Sequence, residues 1–301
     1  MSTPTLKDWL LAFRLRTLPL AASSILVGSA LAAHDGNGRY PVFILALLTA
    51  LLLQVLSNLA NDLGDHAHGT DNAMRVGPPR AVQSGAITPA AMRLAMVICA
   101  ALVLLTGIAL ITTALGAGIS TLIFFFIGLA AIGAAVKYTF GRNPYGYAGL
   151  GDVSVLLFFG LVGVMGTYYL HSGHISLRIL KPAITFGLWS AAVLNVNNMR
   201  DVVNDAACGK RTLAVRLGLE RAKTYHEVLL ILGALLLSIY VIQNSRGWSP
   251  WLFAVGLIPL AMHATNVQRI HEPTLMDPEL KRLALAILLT AVAFSAGLIL
   301  A

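Results

Sequence analysis

Long apolar runs separated by short polar segments dominate the chain. A bilayer core takes about 20 apolar residues per helix. Nine such runs can be read, with limits near 18–34, 41–63, 90–113, 116–137, 149–170, 180–199, 224–243, 250–268 and 282–301. The break between 113 and 116 is very short, so its two helices are expected to form an antiparallel hairpin. The other short connections, near 35–40, 171–179 and 244–249, carry Gly, Ser, Asn or Pro, which punctuate elements. The pattern predicts an all-α, polytopic transmembrane bundle in which residues 1–301 form one integral membrane domain.

Composition strengthens that reading. Of the 301 residues, 57% are hydrophobic and 11% charged, against about 25% charged in soluble domains. Too little polar surface remains to cover a globule, so lipid must be the main solvent. The formal charge of +8 suggests nucleic acid in other settings. Here it is absorbed by cations retained on one membrane face, and no nucleic-acid partner is expected. Cys99 and Cys208 have neither disulfide nor metal-ligand spacing and read as free thiols. Lys7, Arg14 and Arg16 precede the apolar stretch 18–33, which ends in small residues. A cleaved leader is weighed and set below an uncleaved first span.

Charge fixes the orientation. With the N-terminus cytoplasmic, 17 of the 21 Lys and Arg fall inside, leaving Arg39, Arg178, Lys181 and Arg246 outside. The positive-inside rule says nothing about acids, yet 12 of the 13 Asp and Glu also fall inside, Asp35 alone excepted. That distribution calls for a chemical reason.

Two clusters supply it. Asn58, Asn61, Asp62 and Asp65 close the second run, and Asp71 follows. Asn58 and Asp62 are four apart, as are Asn61 and Asp65, so each pair shares a helix face. Asn197, Asp201 and Asp205 close the sixth run with the same spacing. Ionisable residues at membrane depth are functional candidates by default. Carboxylates and amide oxygens are hard ligands suited to Mg²⁺, which also takes ligands from substrate phosphates. Arg75, Arg80, Lys210 and Arg211 lie close by in the sequence. Cations with metal ions form a diphosphate clamp. No GxxxxGK[ST] loop is present to suggest an ATP site. Caps and solvated loops are the ordinary account of such residues, but two matching clusters at equivalent depth outweigh it.

Smaller signals are weaker. His66 and His68 beside Asp65 match no zinc signature, so a hydrated loop is favoured. Lys137 and Tyr138 end the fourth run, and a Gly- and Tyr-rich stretch from Gly141 to Asp152 follows. On residues alone, an interfacial aromatic belt with a turn-rich loop is favoured over a third edge of the same site.

The second cluster, Asn197-x-x-x-Asp201-x-x-x-Asp205, and the first at Asn61 and Asp65 resemble the Asp-rich motifs of the UbiA superfamily of intramembrane aromatic prenyltransferases. The first motif departs at its third member, where position 69 is Gly and the next acid is Asp71. The likeness covers nearly the whole chain. It is clearest in RLRTLP (14–19), SNLANDLGDHAHGTD (57–71), RVGPPRAVQSG (75–85), NPYGYAGLGD (143–152) and LNVNNMRDVVNDAACGKRTLAVRLG (194–218). It is nearest to members that prenylate 1,4-dihydroxy-2-naphthoate in menaquinone synthesis.

The resemblance implies nine helices around a central cavity opening near the cytoplasmic side. It implies Mg²⁺ held by Asn61, Asp65, Asp71, Asn197, Asp201 and Asp205, with Asp65 and Asp201 essential to turnover. Arg16, Asn58, Asp62, Lys137, Arg142, Lys210 and Arg211 would contact substrates, and the Tyr138 ring would shield an allylic cation. Asp152 is a candidate acid or base, with Asp62 behind it. The expected partners are a polyprenyl diphosphate, 1,4-dihydroxy-2-naphthoate and lipid of the cytoplasmic (inner) membrane. The rivals are a related enzyme with another acceptor, such as 4-hydroxybenzoate, and a secondary transporter. Transporter sites tend to lie near the midplane in broken helices, not at the cytoplasmic ends.

Overall fold

The computed structural model describes residues 4–72, 76–245 and 247–301. Arg75 and Arg246 lie outside the described residues. Helices carry every span. They are α2 (Leu18–His34), α3 (Tyr40–Ala67), α4 (Pro89–Leu115), α5 (Ile119–Lys137), α6 (Gly151–Ser172), α7 (Leu180–Arg200), α8 (Leu219–Asn244), α9 (Ala254–Arg269) and α10 (Asp277–Ile299). A short helix, α1 (Leu6–Phe13), precedes them. Among the described residues, nine segments are long and apolar enough to cross a membrane.

Local chemistry sets many of the boundaries. Thr5 and Asp8 cap each other's backbone at the start of α1, a reciprocal capping box. Prolines open α2, α3, α4 and α10 within their first two positions, where the missing N–H costs nothing. Gly69, at φ +73°, ends α3 in the left-handed conformation that favours glycine.

Several boundaries differ from the sequence expectation, among them the start of α8, at Leu219 rather than 224. The α1 helix was not expected, being too short and mixed to read as a span. Helix α3 runs four residues past the apolar limit at 63, because its polar residues continue the helix. Helix α10 starts at Asp277 rather than 282. Glu279, Lys281 and Arg282 mask that start in a hydropathy reading, though an acid and a proline are a proper helix opening.

Neighbouring helices pack in sequence, α2 on α3, α3 on α4, α4 on α5, α6 on α7 and α7 on α8. Helix α10 returns to α2 and α7 and so closes the bundle. Helix α7 is the most buried of the spans. Helix α5 packs on α3 and α4, and only Ala131 along it is buried. Within α6, Leu156–Gly166 widen into a π-helix, a form found mostly at functional sites. There Gly160 meets Gly187 of α7 so closely that an added Cβ would lie 2.6 Å from the Ala183 carbonyl oxygen.

Candidate active site

The ends of α3 and α7 converge on the mouth of a cavity of about 380 Å³. As the four-residue spacing requires, Asn61 and Asp65 of α3 share one face, and both line this cavity. Asn197, at the end of α7, lines it too. Helix α7 ends at Arg200, and Asp201 is the joint to a short helix, Val202–Ala207. The Asp205 amide donates to the Asp201 carbonyl at 2.8 Å, so the expected i, i+4 relation survives the joint.

Lys210 joins the two motifs. Its Nζ lies 3.8 Å from Asp65 Oδ1 and 3.6 Å from Asp205 Oδ1. It also stands 5.1 Å from the centre of the Tyr147 ring. Burial works against its charge, but Asp65 and Asp205 outweigh burial and push the ammonium above its ordinary range. The Asp205 carboxyl is pushed up to about 6, chiefly by burial, with the neighbouring acids adding to it and Lys210 opposing it.

Asp201 faces another cation. The Arg200 side chain is fully buried and grips both Asp201 oxygens at 2.9 and 2.5 Å. The same guanidinium donates to Asn197 Oδ1 at 3.0 Å and to Asp277 Oδ1 at 2.6 Å. Asp277 in turn receives Arg16 at 3.3 Å. Asp71, also buried, pairs with Arg80 at 3.7 Å.

The stretch after α5 does form a third edge of the site, contrary to the reading from residues alone. Tyr138 and Tyr145 line the cavity. The Tyr147 hydroxyl donates to Asp65 Oδ1 at 2.9 Å. The Tyr147 carbonyl receives the Arg211 amide, tying this edge to the segment after the second motif. Burial, with help from Asp152, pushes the Tyr138 phenol well above its ordinary range, so its ring remains neutral.

Other expected site residues are engaged in other ways. Asp62 is buried and accepts the Ala81 and Val82 amides, each at 3.1 Å. Asn58 borders the cavity, but its amide nitrogen is engaged at 2.9 Å by the Phe13 carbonyl and by Thr17 Oγ1. It thereby holds the turn in which Arg14 adopts a left-handed φ of +50°. Asp152 is buried outside the cavity lining and receives the Tyr225 hydroxyl at 3.3 Å. Lys137, Arg142 and Arg211 are exposed, and the Lys137 ammonium donates to the Arg142 carbonyl.

Sequence reasoning gave no role to Arg14, Tyr147, Arg200 or Asp277. Arg14 and Tyr147 had a signal in the stretches RLRTLP and NPYGYAGLGD, and Arg200 had one as a cation ending an apolar run beside an acid; Asp277 had none.

The donor set suits a hard divalent cation. Asp205 Oδ2 is buried with no hydrogen-bond partner, an arrangement that a cation would satisfy. Among the described residues, no three Asp, Glu, His or Cys side chains stand close enough to enclose an ion by themselves. Amide oxygens, water and substrate would therefore complete any shell, as is usual for Mg²⁺.

The UbiA prenyltransferase family model matches residues 21–288. The chain belongs to the UbiA prenyltransferase family. A 1,4-dihydroxy-2-naphthoate octaprenyltransferase from Haemophilus influenzae is 43% identical, the match covering 99% of this chain and 98% of that protein. The enzyme of the same name from Escherichia coli is 42% identical, with 97% and 95% covered. A UbiA homolog from Archaeoglobus fulgidus, solved bound to GPP and Mg²⁺, shares the fold at a TM-score of 0.62 and 19% identity, with 96% of this chain and 99% of that chain covered. The apo UbiA homolog from Aeropyrum pernix K1 gives 0.69 at 17% identity, with 95% and 98% covered. This UbiA family member therefore shares an all-helical membrane fold with both.

Proposed function

We propose that this UbiA family member is a Mg²⁺-dependent transferase of a polyprenyl group from its diphosphate to 1,4-dihydroxy-2-naphthoate. The products are demethylmenaquinol, pyrophosphate and CO₂. The observation that carries the reading is Lys210 standing between Asp65 and Asp205 at the head of a cavity whose remainder is largely apolar. One end suits a diphosphate with its counter-ions, and the other suits an isoprenoid tail. The acceptor is supported by the naphthoate specificity in the names of the 43% and 42% identical relatives.

Asn61, Asp65, Asn197, Asp201 and Asp205 would hold the metal, with Asp71 held close to the site by Arg80. The bound metal neutralises the diphosphate and makes pyrophosphate a better leaving group. Lys210, together with the cavity-lining Arg14, Arg16 and Arg80, shares the remaining negative charge. The prenyl C1–oxygen bond breaks, and its electron pair leaves with pyrophosphate. The neutral ring of Tyr138 faces the cavity and stabilises positive charge at C1 by cation–π attraction. Apolar walls exclude water that would quench that charge.

The naphthoate ring attacks through the carbon bearing its carboxylate, forming the new carbon–carbon bond. CO₂ then departs and its bonding pair restores the aromatic ring. No ring proton need be removed, so the site requires no dedicated base. Asp152 and Asp62, engaged with Tyr225 and with backbone amides, are then structural.

The cation-rich loops would face the cytoplasm, with the bundle in the cytoplasmic (inner) membrane. The test is turnover by purified protein with farnesyl diphosphate and 1,4-dihydroxy-2-naphthoate, with Mg²⁺ or with EDTA. The expected result is a prenylated naphthoquinol and pyrophosphate in Mg²⁺ only. Prenylation of 4-hydroxybenzoate alone would overturn the acceptor. No transfer to any aromatic acceptor would overturn the reaction class.

A further inference from the structure

One wall of the apolar chamber is a stripe on α5. Phe124, Gly128, Ala131, Ala135 and Tyr138 recur at spacings of three and four and all line the cavity, so they share one helix face. At 1.5 Å per residue the stripe runs about 21 Å from Tyr138 to Phe124. Tyr138 stands at the polar end. Phe124, at the far end, is stacked on Tyr169 with ring centres 5.2 Å apart. The Tyr169 hydroxyl lies 2.7 Å from Ser120 Oγ, which fixes that corner. The opposite face of α5 presents Leu122 and Phe126 outward.

Gly128 stands out within this stripe. Membrane helices usually carry glycine where two backbones approach closely. Gly28 and Gly160 obey that rule, since an added Cβ would lie 2.5 Å from the Val164 carbonyl oxygen and 2.6 Å from that of Ala183. At Gly128 an added Cβ would meet no atom within 4 Å. Its φ is not in the left-handed region either. Neither packing nor backbone conformation therefore asks for glycine in a helix interior, where it is unfavourable. What it leaves is free space in the chamber, about 15 Å from Tyr138 along the helix.

We propose that Gly128 is a specificity-determining residue, keeping the chamber open to donors whose isoprenoid tail extends beyond the first few units. The inference rests on the prenyl-transfer reading above. A tail running from the polar end along the α5 stripe must pass Gly128, whereas a two-unit tail ends before it. A side chain at this position closes the chamber to the long tail and leaves the head of the site intact.

The test compares Gly128→Leu with the parent protein, using geranyl and octaprenyl diphosphates with 1,4-dihydroxy-2-naphthoate. The expected result is a fall of about ten- to hundredfold in kcat/KM for octaprenyl diphosphate, with geranyl transfer within about threefold of the parent. Gly133→Leu is the control, because Gly133 also stands in open space but lies outside the cavity lining. It should leave both donors unaffected. Gly128→Ala, a smaller step, should shift the octaprenyl-to-geranyl ratio in the same direction. Unchanged octaprenyl transfer by Gly128→Leu overturns the proposal. So does equal loss with both donors, or an inactive Gly128→Leu protein alongside an unchanged ratio in Gly128→Ala. Failure of the parent protein with every donor is a different result, and it removes the prenyl-transfer reading itself.

Discussion

Lys210 Nζ lies 3.8 Å from Asp65 Oδ1 and 3.6 Å from Asp205 Oδ1, so one ammonium joins acidic motifs from opposite halves of the chain. Buried carboxylates facing each other repel unless a cation stands between them. Lys210 supplies that cation before any metal or diphosphate arrives, and it is then placed to meet the diphosphate. Replacing it with Met should reduce turnover about a hundredfold or more, the scale for losing one charged group that stabilises a leaving anion. Lys210→Arg should retain more activity than Lys210→Met. Pyrophosphate release by the two purified variants checks this, and equal rates would remove the charge from the mechanism.

Asp62 and Asp65 are three residues apart yet should fail in different ways. Asp62 is buried on two backbone amides, and hydrogen bonds to a charged group contribute about 1.5–3 kcal/mol each. Asp62→Ala should lower the melting temperature in detergent, with a loss of about 3 kcal/mol. Asp65→Ala loses the Tyr147 hydrogen bond but leaves Lys210 paired with Asp205, so it should melt less far below the parent than Asp62→Ala and lose turnover. Thermal unfolding read beside activity separates the two, and the reverse pattern would refute these assignments.

The Asp205 carboxyl, raised to about 6, sets a pH dependence. A raised carboxyl binds protons more tightly in the folded chain than in the unfolded one. The metal-free protein therefore loses stability as pH rises from the ordinary carboxylate range through 6. Metal binding requires the ionised form, so protons compete with Mg²⁺ below 6. The Mg²⁺-induced rise in melting temperature should be large at pH 7.5 and small at pH 5. The half-saturating Mg²⁺ concentration should grow about tenfold per pH unit below 6. Asp205→Asn should flatten this profile, and an unchanged profile would exclude Asp205 from the metal site.

Tyr147 tests the third edge. Its hydroxyl donates to Asp65 Oδ1 at 2.9 Å and lies 2.5 Å from Thr70 Oγ1. Tyr147→Phe keeps the ring under Lys210 and removes only the hydrogen bond, a change of about 1.5–3 kcal/mol for a charged acceptor. Turnover should fall roughly ten- to hundredfold, and thermal stability should fall by no more than that one bond contributes. Steady-state rates at saturating Mg²⁺ would show it, and unaltered kcat would reduce the Gly- and Tyr-rich loop to a scaffold.

Much of the protein was legible in its sequence. The nine spans follow from apolar runs of bilayer length, since lipid leaves the backbone no other partner than the helix. The pairs proposed as metal donors, Asn61–Asp65 and Asn197–Asp201, follow from i, i+4 spacing, which helix geometry enforces wherever the chain goes. The π-helix over Leu156–Gly166 had no such signature, because it depends on close packing of Gly160 against α7.

Tertiary structure decided which faces meet. Local spacing makes Asp62 and Asp65 equally plausible ligands, and only the fold turns Asp62 to the Ala81 and Val82 amides and Asp65 to the cavity. Arg142, Lys137 and Arg211 looked as suitable for a diphosphate as Lys210, but the fold leaves those three exposed and buries Lys210 between the motifs. The Arg200 grip on Asp201, Asn197 and Asp277 likewise joins α7 to the start of α10. Sequence carries the short-range terms, hydropathy and helical register. The pairing of charges across helices depends on long-range packing, and no window along the chain contains both partners.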